Sequence, residues 1–158
     1  MSNIEKRIDA VCTYLLAEDP AERDKARSRL LELMSCKYAP EDPEAIVRRL
    51  FLEIGAPDHL MGHELAIQGV LLVVESRMYI DNITFGLYPT LAAKNDTTAS
   101  RVERAIRHLI EVIWLRCDED TLFKYFGNTV SADKGKPTNG EFISRCANIV
   151  KLRMRGIA

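Results

Sequence analysis

Three arginines, Arg101, Arg104 and Arg107, fall close together in the chain, interleaved with Ser100, Glu103 and His108. A guanidinium presents a planar fork of donors that fits the paired acceptors on a guanine edge or the oxygens of a phosphate. A carboxylate set among such forks can accept from a cytosine amino group. Projected at 100° per residue, Val102, Ala105, Ile106, Leu109, Ile110, Val112 and Ile113 share one side within about 160° of arc. The opposite side collects Ser100, Arg101, Glu103, Arg104, Arg107, His108 and Glu111. The same pattern has an ordinary reading, because Glu103 and Arg107 stand at the spacing of an exposed helical ion pair that contributes only about 0.3–0.5 kcal/mol. Trp114 and Leu115 also fall on the polar arc, so only the first three turns are expected to face outward, with other helices covering the rest.

Other chemistry finds less support. His59 and His63 stand four apart with Glu64 beside them, a spacing that can ligate a metal on a helix, but Pro57 and Gly62 imply a loop or helix entry and no third ligand is evident. No metal, cofactor or catalytic residue is expected, and the chain does not read as an enzyme. The four cysteines, Cys12, Cys36, Cys117 and Cys146, are too widely spaced for a structural zinc site and read as free buried thiols.

A reading helix must be carried by a short first helix and a tight polar turn, and capped where its end approaches the duplex. Residues 89–116 supply these parts. Leu91 and Ala92 set a large and a small apolar residue where two helices cross, Asn95, Asp96 and Thr97 make the turn, and Thr98 is placed to cap the helix that follows. Ser100 with Glu103 offers an alternative capping box. The expected reading helix is therefore 98–116.

Helical periodicity dominates elsewhere, and no segment alternates long enough for a strand, so the fold class is all-α. Ile4, Ile8, Val11 and Leu15 form one apolar stripe ending near Asp19-Pro20. A second helix should run from Pro20 to Met34 with Ala26, Leu30, Leu33 and Met34 inward. Asp42 and Pro43 read as an N-cap and first helical residue after a short linker. The helix they open buries Ile46, Val47, Leu50, Phe51 and Ile54 and stops at Gly55. Residues 64–80, apolar nearly all round, predict a central buried helix. After Asp81-Asn82 a short helical piece ends at Tyr88-Pro89, and Pro89 starts the next helix. The expected organisation is a two-helix extension over 1–37 and a helix-turn-helix domain over 43–155.

Across 158 residues the net charge is −1, a weak argument against nucleic-acid binding, but its distribution is uneven. Residues 1–93 carry 10 Lys and Arg against 15 Asp and Glu, and residues 94–158 carry 12 against 8. The basic half is the one that holds the arginine helix. No stretch is apolar for the roughly 18 residues of a membrane span, and no signal pattern opens the chain, so an intracellular protein is expected.

The run Asp96-Thr97-Thr98-Ala99-Ser100-Arg101-Val102-Glu103-Arg104-Ala105-Ile106-Arg107-His108 carries a specific resemblance. It continues through Ile110-Glu111-Val112, Leu122, Phe126-Gly127, Thr129-Val130-Ser131, Lys134, Lys136-Pro137-Thr138-Asn139 and Glu141-Phe142-Ile143. Upstream it includes Ile54-Gly55, Pro57, His59, Gly62, Leu87-Tyr88-Pro89 and Ala92. On these residues the chain resembles, over about 45–153, the DNA-binding effector domain of the stage-zero sporulation response regulator family.

The resemblance implies an all-helical regulator of transcription that binds double-stranded DNA at a TGTCGAA-like box, as a homodimer or tandem copies, with RNA polymerase a further candidate partner. It implies a bacterial, cytoplasmic protein associated with the nucleoid when bound. By position, Arg101, Glu103 and Arg104 become base-contacting residues. Thr98, Ser100, Arg107, His108, Lys134 and Lys136 become backbone or flanking contacts, and the helix after Thr138, which opens as a capping box with Glu141, becomes a contact between copies. Asn95 departs from the pattern, which has an apolar residue there, and looser packing of the first helix is expected. The roughly 40 residues before the domain are too few for a phosphate-accepting receiver, so no such domain is expected in this chain. The two N-terminal helices are expected to dimerise, to dock a partner, or to cap the domain's own core. A rival reading keeps the fold in a non-DNA-binding adaptor or dimerising antagonist.

Overall fold

A computed structural model of the chain describes residues 3–38, 41–127 and 135–156. It divides into two compact units, Met1–Glu41 and Asp42–Ala158. Among the described residues there are helices and no strands.

The first unit is a helical hairpin. Helix α1 (Asn3–Leu16) is followed by α2 (Pro20–Tyr38), four residues longer than its apolar pattern suggests. Asp19 starts α2 by accepting from the Ala21 N–H at 3.1 Å, with Pro20 at a position that needs no donor. The two helices meet through small residues, with Ala10, Ala17 and Ala26 buried. The α1 stripe faces away from that seam, and Ile8, Val11, Leu15 and Leu16 are exposed. Leu30 is half-buried, whereas the side chains of Ile4, Leu33 and Met34 lie outside the described set.

The second unit opens at α3 (Pro43–Glu53), whose first turn is capped by Asp42 accepting from Glu44 N–H at 3.2 Å. Ile46, Val47, Leu50, Phe51 and Ile54 are fully buried, and Gly55 at φ +66° ends the helix in the left-handed region. Helix α4 (Met61–Glu75) starts and ends earlier than its apolar run suggests. Ser76 is extended, in keeping with the low helical preference of serine, and a separate turn, α5 (Met78–Asp81), follows. Central burial of α4 holds, since it packs on α3, on α5 and on three of the helices that follow.

Between α5 and α6 (Tyr88–Lys94) the chain makes one π-helical turn, Ile83–Leu87. In this turn the Leu87 and Tyr88 N–H groups reach back five residues, to the Asn82 and Ile83 carbonyls, and Pro89, which has no N–H, follows at once. Helix α7 (Ala99–Arg116), α8 (Glu119–Phe126) and α9 (Asn139–Met154) complete the unit. Trp114, Phe126 and Phe142 form an aromatic wedge joining the last three helices, with Phe126 and Phe142 stacked at 5.3 Å and Trp114 edge-on to Phe126 at 5.1 Å. This wedge half-covers Trp114. Leu115 departs from the expectation that the far turns are covered, for it points the other way and is 84% exposed.

Candidate nucleic-acid interface

Helix α6, the turn 95–98 and α7 form the helix-turn-helix, and α4 lies across both helices. Two polar devices close the turn. Asp96 takes a positive φ of 48°, which aspartate tolerates better than most residues, and the Thr97 N–H bonds the Ala92 carbonyl at 3.0 Å. Asn95 then turns its departure from the family pattern into a tether. Its Nδ2 donates to the Leu91 carbonyl and to Gln68 Oε1 on α4, each at 2.8 Å, while Gln68 Nε2 donates back at 3.3 Å. An exposed amide pair thus ties the turn to α4 at the place where the pattern has an apolar residue, beside the buried Leu91 and Ala92.

Thr98 is the N-cap of α7, its hydroxyl accepting from the Arg101 N–H at 3.3 Å; the alternative start at Ser100 is not used. Val102, Ile106, Leu109, Ile110 and Ile113 face the core, with Ala105 and Val112 half-buried at the edges of the stripe. The approach to α4 is closest at Gly62, where an added Cβ would sit 2.1 Å from the Ala105 carbonyl oxygen. Only glycine permits that contact.

The outer face carries Ser100, Arg101, Arg104, Arg107 and His108, all exposed, with Glu103 and Glu111 half-exposed. Arg101 and Arg104 have no ion-pair or hydrogen-bond partner for their side chains among the described residues. Arg107 is paired with Glu103, so the spacing noted in the sequence is realised as an ion pair. Lys136 reaches the same face from the segment before α9 and donates to Glu111 at 2.7 Å. That contact holds the Glu111 carboxyl below the usual carboxylate range. Lys134 lies outside the described residues.

An open groove of about 600 Å³ runs beside Glu103 and Arg107, between the π-helical turn and the start of α9. At its base stands Asn139, a polar side chain with 8% of its surface exposed, whose Nδ2 donates to the Tyr88 hydroxyl and to the Glu103 carbonyl, each at 3.0 Å. Burial also pushes the Tyr88 hydroxyl pKa up, keeping it protonated. Asn139 therefore fixes α7 to α6 and α9 at once. Thr138 and Glu141 complete the expected capping box at the start of α9, through Glu141 N–H to the Thr138 hydroxyl and Thr138 N–H to the Glu141 carboxylate.

The sequence did not single out Asn139, Gln68 or Glu111 for these tasks. Their partners lie 36, 27 and 25 residues away, beyond any local spacing rule. His59 is exposed in the turn before α4. His63 packs edge-on against Phe51 at 5.4 Å, and the Glu64 carboxylate is taken by Arg48 at 3.2 Å. Among the described side chains, free thiols are found at Cys12, exposed, Cys117, half-buried, and Cys146, buried, while the side chain of Cys36 lies outside the described set. No described helix is long and apolar enough to cross a membrane.

The family model described as the sporulation initiation factor Spo0A C-terminal domain matches residues 47–150, which include every helix from α4 to α8 and most of α3 and α9. A capped, arginine-bearing α7 on an all-helical scaffold and that match agree, and the chain belongs to the Spo0A C-terminal family of DNA-binding regulatory domains.

Proposed function

We propose that this protein is a sequence-specific transcriptional regulator that sets the first turns of α7 in the major groove of a TGTCGAA-like box. The observation that carries this reading is the pair Arg101 and Arg104, exposed and, among the described residues, without an ion-pair partner beside a threonine-capped helix start. Two guanidinium forks three residues apart can each take a guanine edge, and the partial positive charge of the helix start favours the adjacent phosphates. Ser100, Thr98, Arg107, His108, Lys134 and Lys136 serve the backbone in this reading. Glu103 contacts a base only if it releases Arg107. Titrating the protein by fluorescence anisotropy against a box duplex and a scrambled duplex, at a stated salt concentration, tests it. Tighter binding to the box supports the reading, and equal affinities would sink it.

The hairpin of α1 and α2 serves self-association in this proposal. Its support is the exposed α1 stripe of Ile8, Val11, Leu15 and Leu16, since burying such side chains stabilises by about 1.5–3 kcal/mol each. A dimer would place two reading helices on neighbouring boxes. The adaptor reading draws on one observation, that two carboxylates on the α7 face already occupy two of its cations. Failure to bind any duplex at low salt would favour it.

A further inference from the structure

Glu111 sits near the middle of the exposed arc of α7, about 20° from Ser100 and from Arg104 when residues are projected at 100° each. Lys136 belongs to the segment leading into the α9 cap, yet its ammonium is carried across to this carboxylate at 2.7 Å. The two side chains retain 47% and 41% of their surface for Lys136 and Glu111, so the pair stands at the rim in contact with solvent. One end of the face thus offers open arginines, and the other offers cations already matched by carboxylates.

We infer that Glu111 is a built-in competitor for DNA phosphate, holding Lys136 in an ion pair that a duplex must break. The inference rests on the DNA-binding reading above. A phosphate oxygen and a carboxylate oxygen are alternative acceptors for the same ammonium. When Lys136 moves to a phosphate, it leaves an uncompensated carboxylate beside a polyanion, so its contribution to counterion release is largely cancelled. The effect falls on the sequence-independent part of binding. Discrimination is left to the side chains that meet base edges, because phosphate contacts carry no direct sequence information.

Glu111→Gln keeps the size of the side chain and an oxygen acceptor but removes the charge. Binding to box and scrambled duplexes should tighten together, by roughly three- to ten-fold at about 0.1 M salt, and the slope of log K against log salt should steepen by about one. Repeating the substitution in a Lys136→Gln background should shrink the gain in affinity, because no ion pair is then left to break. An unchanged salt slope, weaker binding by Glu111→Gln, or an equal gain with and without Lys136 would overturn the inference. If the wild-type protein binds no duplex at low salt, the DNA-binding reading falls and takes this inference with it. Wild-type binding with an unaltered slope in Glu111→Gln removes the inference alone.

Discussion

Asn139 shows what a single buried side chain contributes to the placement of α7. Its amide satisfies the Tyr88 hydroxyl and the Glu103 carbonyl inside the domain, and no water can replace it easily at 8% exposure. Asn139→Ala should cost about 1–3 kcal/mol of stability in denaturant unfolding, the range for leaving buried polar partners unsatisfied. A change below about 0.3 kcal/mol would mean that α7 is held by apolar packing alone. Such a residue is invisible to sequence reading, since its polarity suggests a surface and its partners come from other helices. Thr98 is the opposite case. Its type and its place before an apolar-periodic run announce the cap, and Thr98→Ala should destabilise by about 0.5–2 kcal/mol through the lost bond to the Arg101 N–H.

At the scale of elements, the helices most legible in sequence are those with an unambiguous stop or start. Asp42-Pro43 and Gly55 bound α3, and the 3.6-residue period of Val102, Ile106, Leu109, Ile110 and Ile113 sets the inner face of α7. The run from Met61 to Ile80 was less legible, because apolar residues continue past Ser76 with no proline or glycine to mark the break. Nor could periodicity show that α4 and α7 touch backbone to backbone. Gly62→Ala tests that crossing: the added methyl has no room against the Ala105 carbonyl, and overpacking of this kind costs about 1–3 kcal/mol. A neutral Gly62→Ala in thermal unfolding would contradict the close approach. The far side of the domain is tied by Glu53 on α3, which accepts from Arg153 on α9 at 2.7 Å and from the Tyr125 hydroxyl on α8. The Arg153 bond, aided by Tyr125, holds the Glu53 carboxyl below its ordinary range. A carboxyl with a depressed folded-state pKa contributes stability that is present above its unfolded value, near 4.3, and lost as pH falls through the folded one. Glu53→Gln should therefore lower stability at neutral pH and make the acid limb of the stability profile shallower below about pH 4.5. Parallel profiles for the two proteins would show that the cluster does not titrate with folding.

For the whole molecule, the sequence separates a hairpin from a family domain, but it does not say which face of the hairpin is used. The α1 stripe left dimerisation, partner docking and capping of the domain's core all open; Ala10, Ala17 and Ala26 make the hairpin's seam, and the larger residues Ile8, Val11 and Leu15 remain exposed. Small residues allow close helix contact, and periodicity alone cannot tell an inward stripe from one held for a partner. If that stripe serves self-association, Leu15→Glu should convert a dimer to a monomer in sedimentation or light scattering while leaving the far-ultraviolet circular dichroism unchanged. An unaltered mass would remove the dimer role of α1. The uneven charge has a similar lesson, for a net value near zero conceals an arginine face whose cations are partly matched by its own carboxylates. The most direct measurement is the affinity of Arg104→Ala for box and scrambled duplexes under one salt condition. The account predicts a loss of about 1–3 kcal/mol on the box and a much smaller one on the scrambled sequence. Equal losses would mean that Arg104 meets only phosphate, and would contradict base reading by this helix.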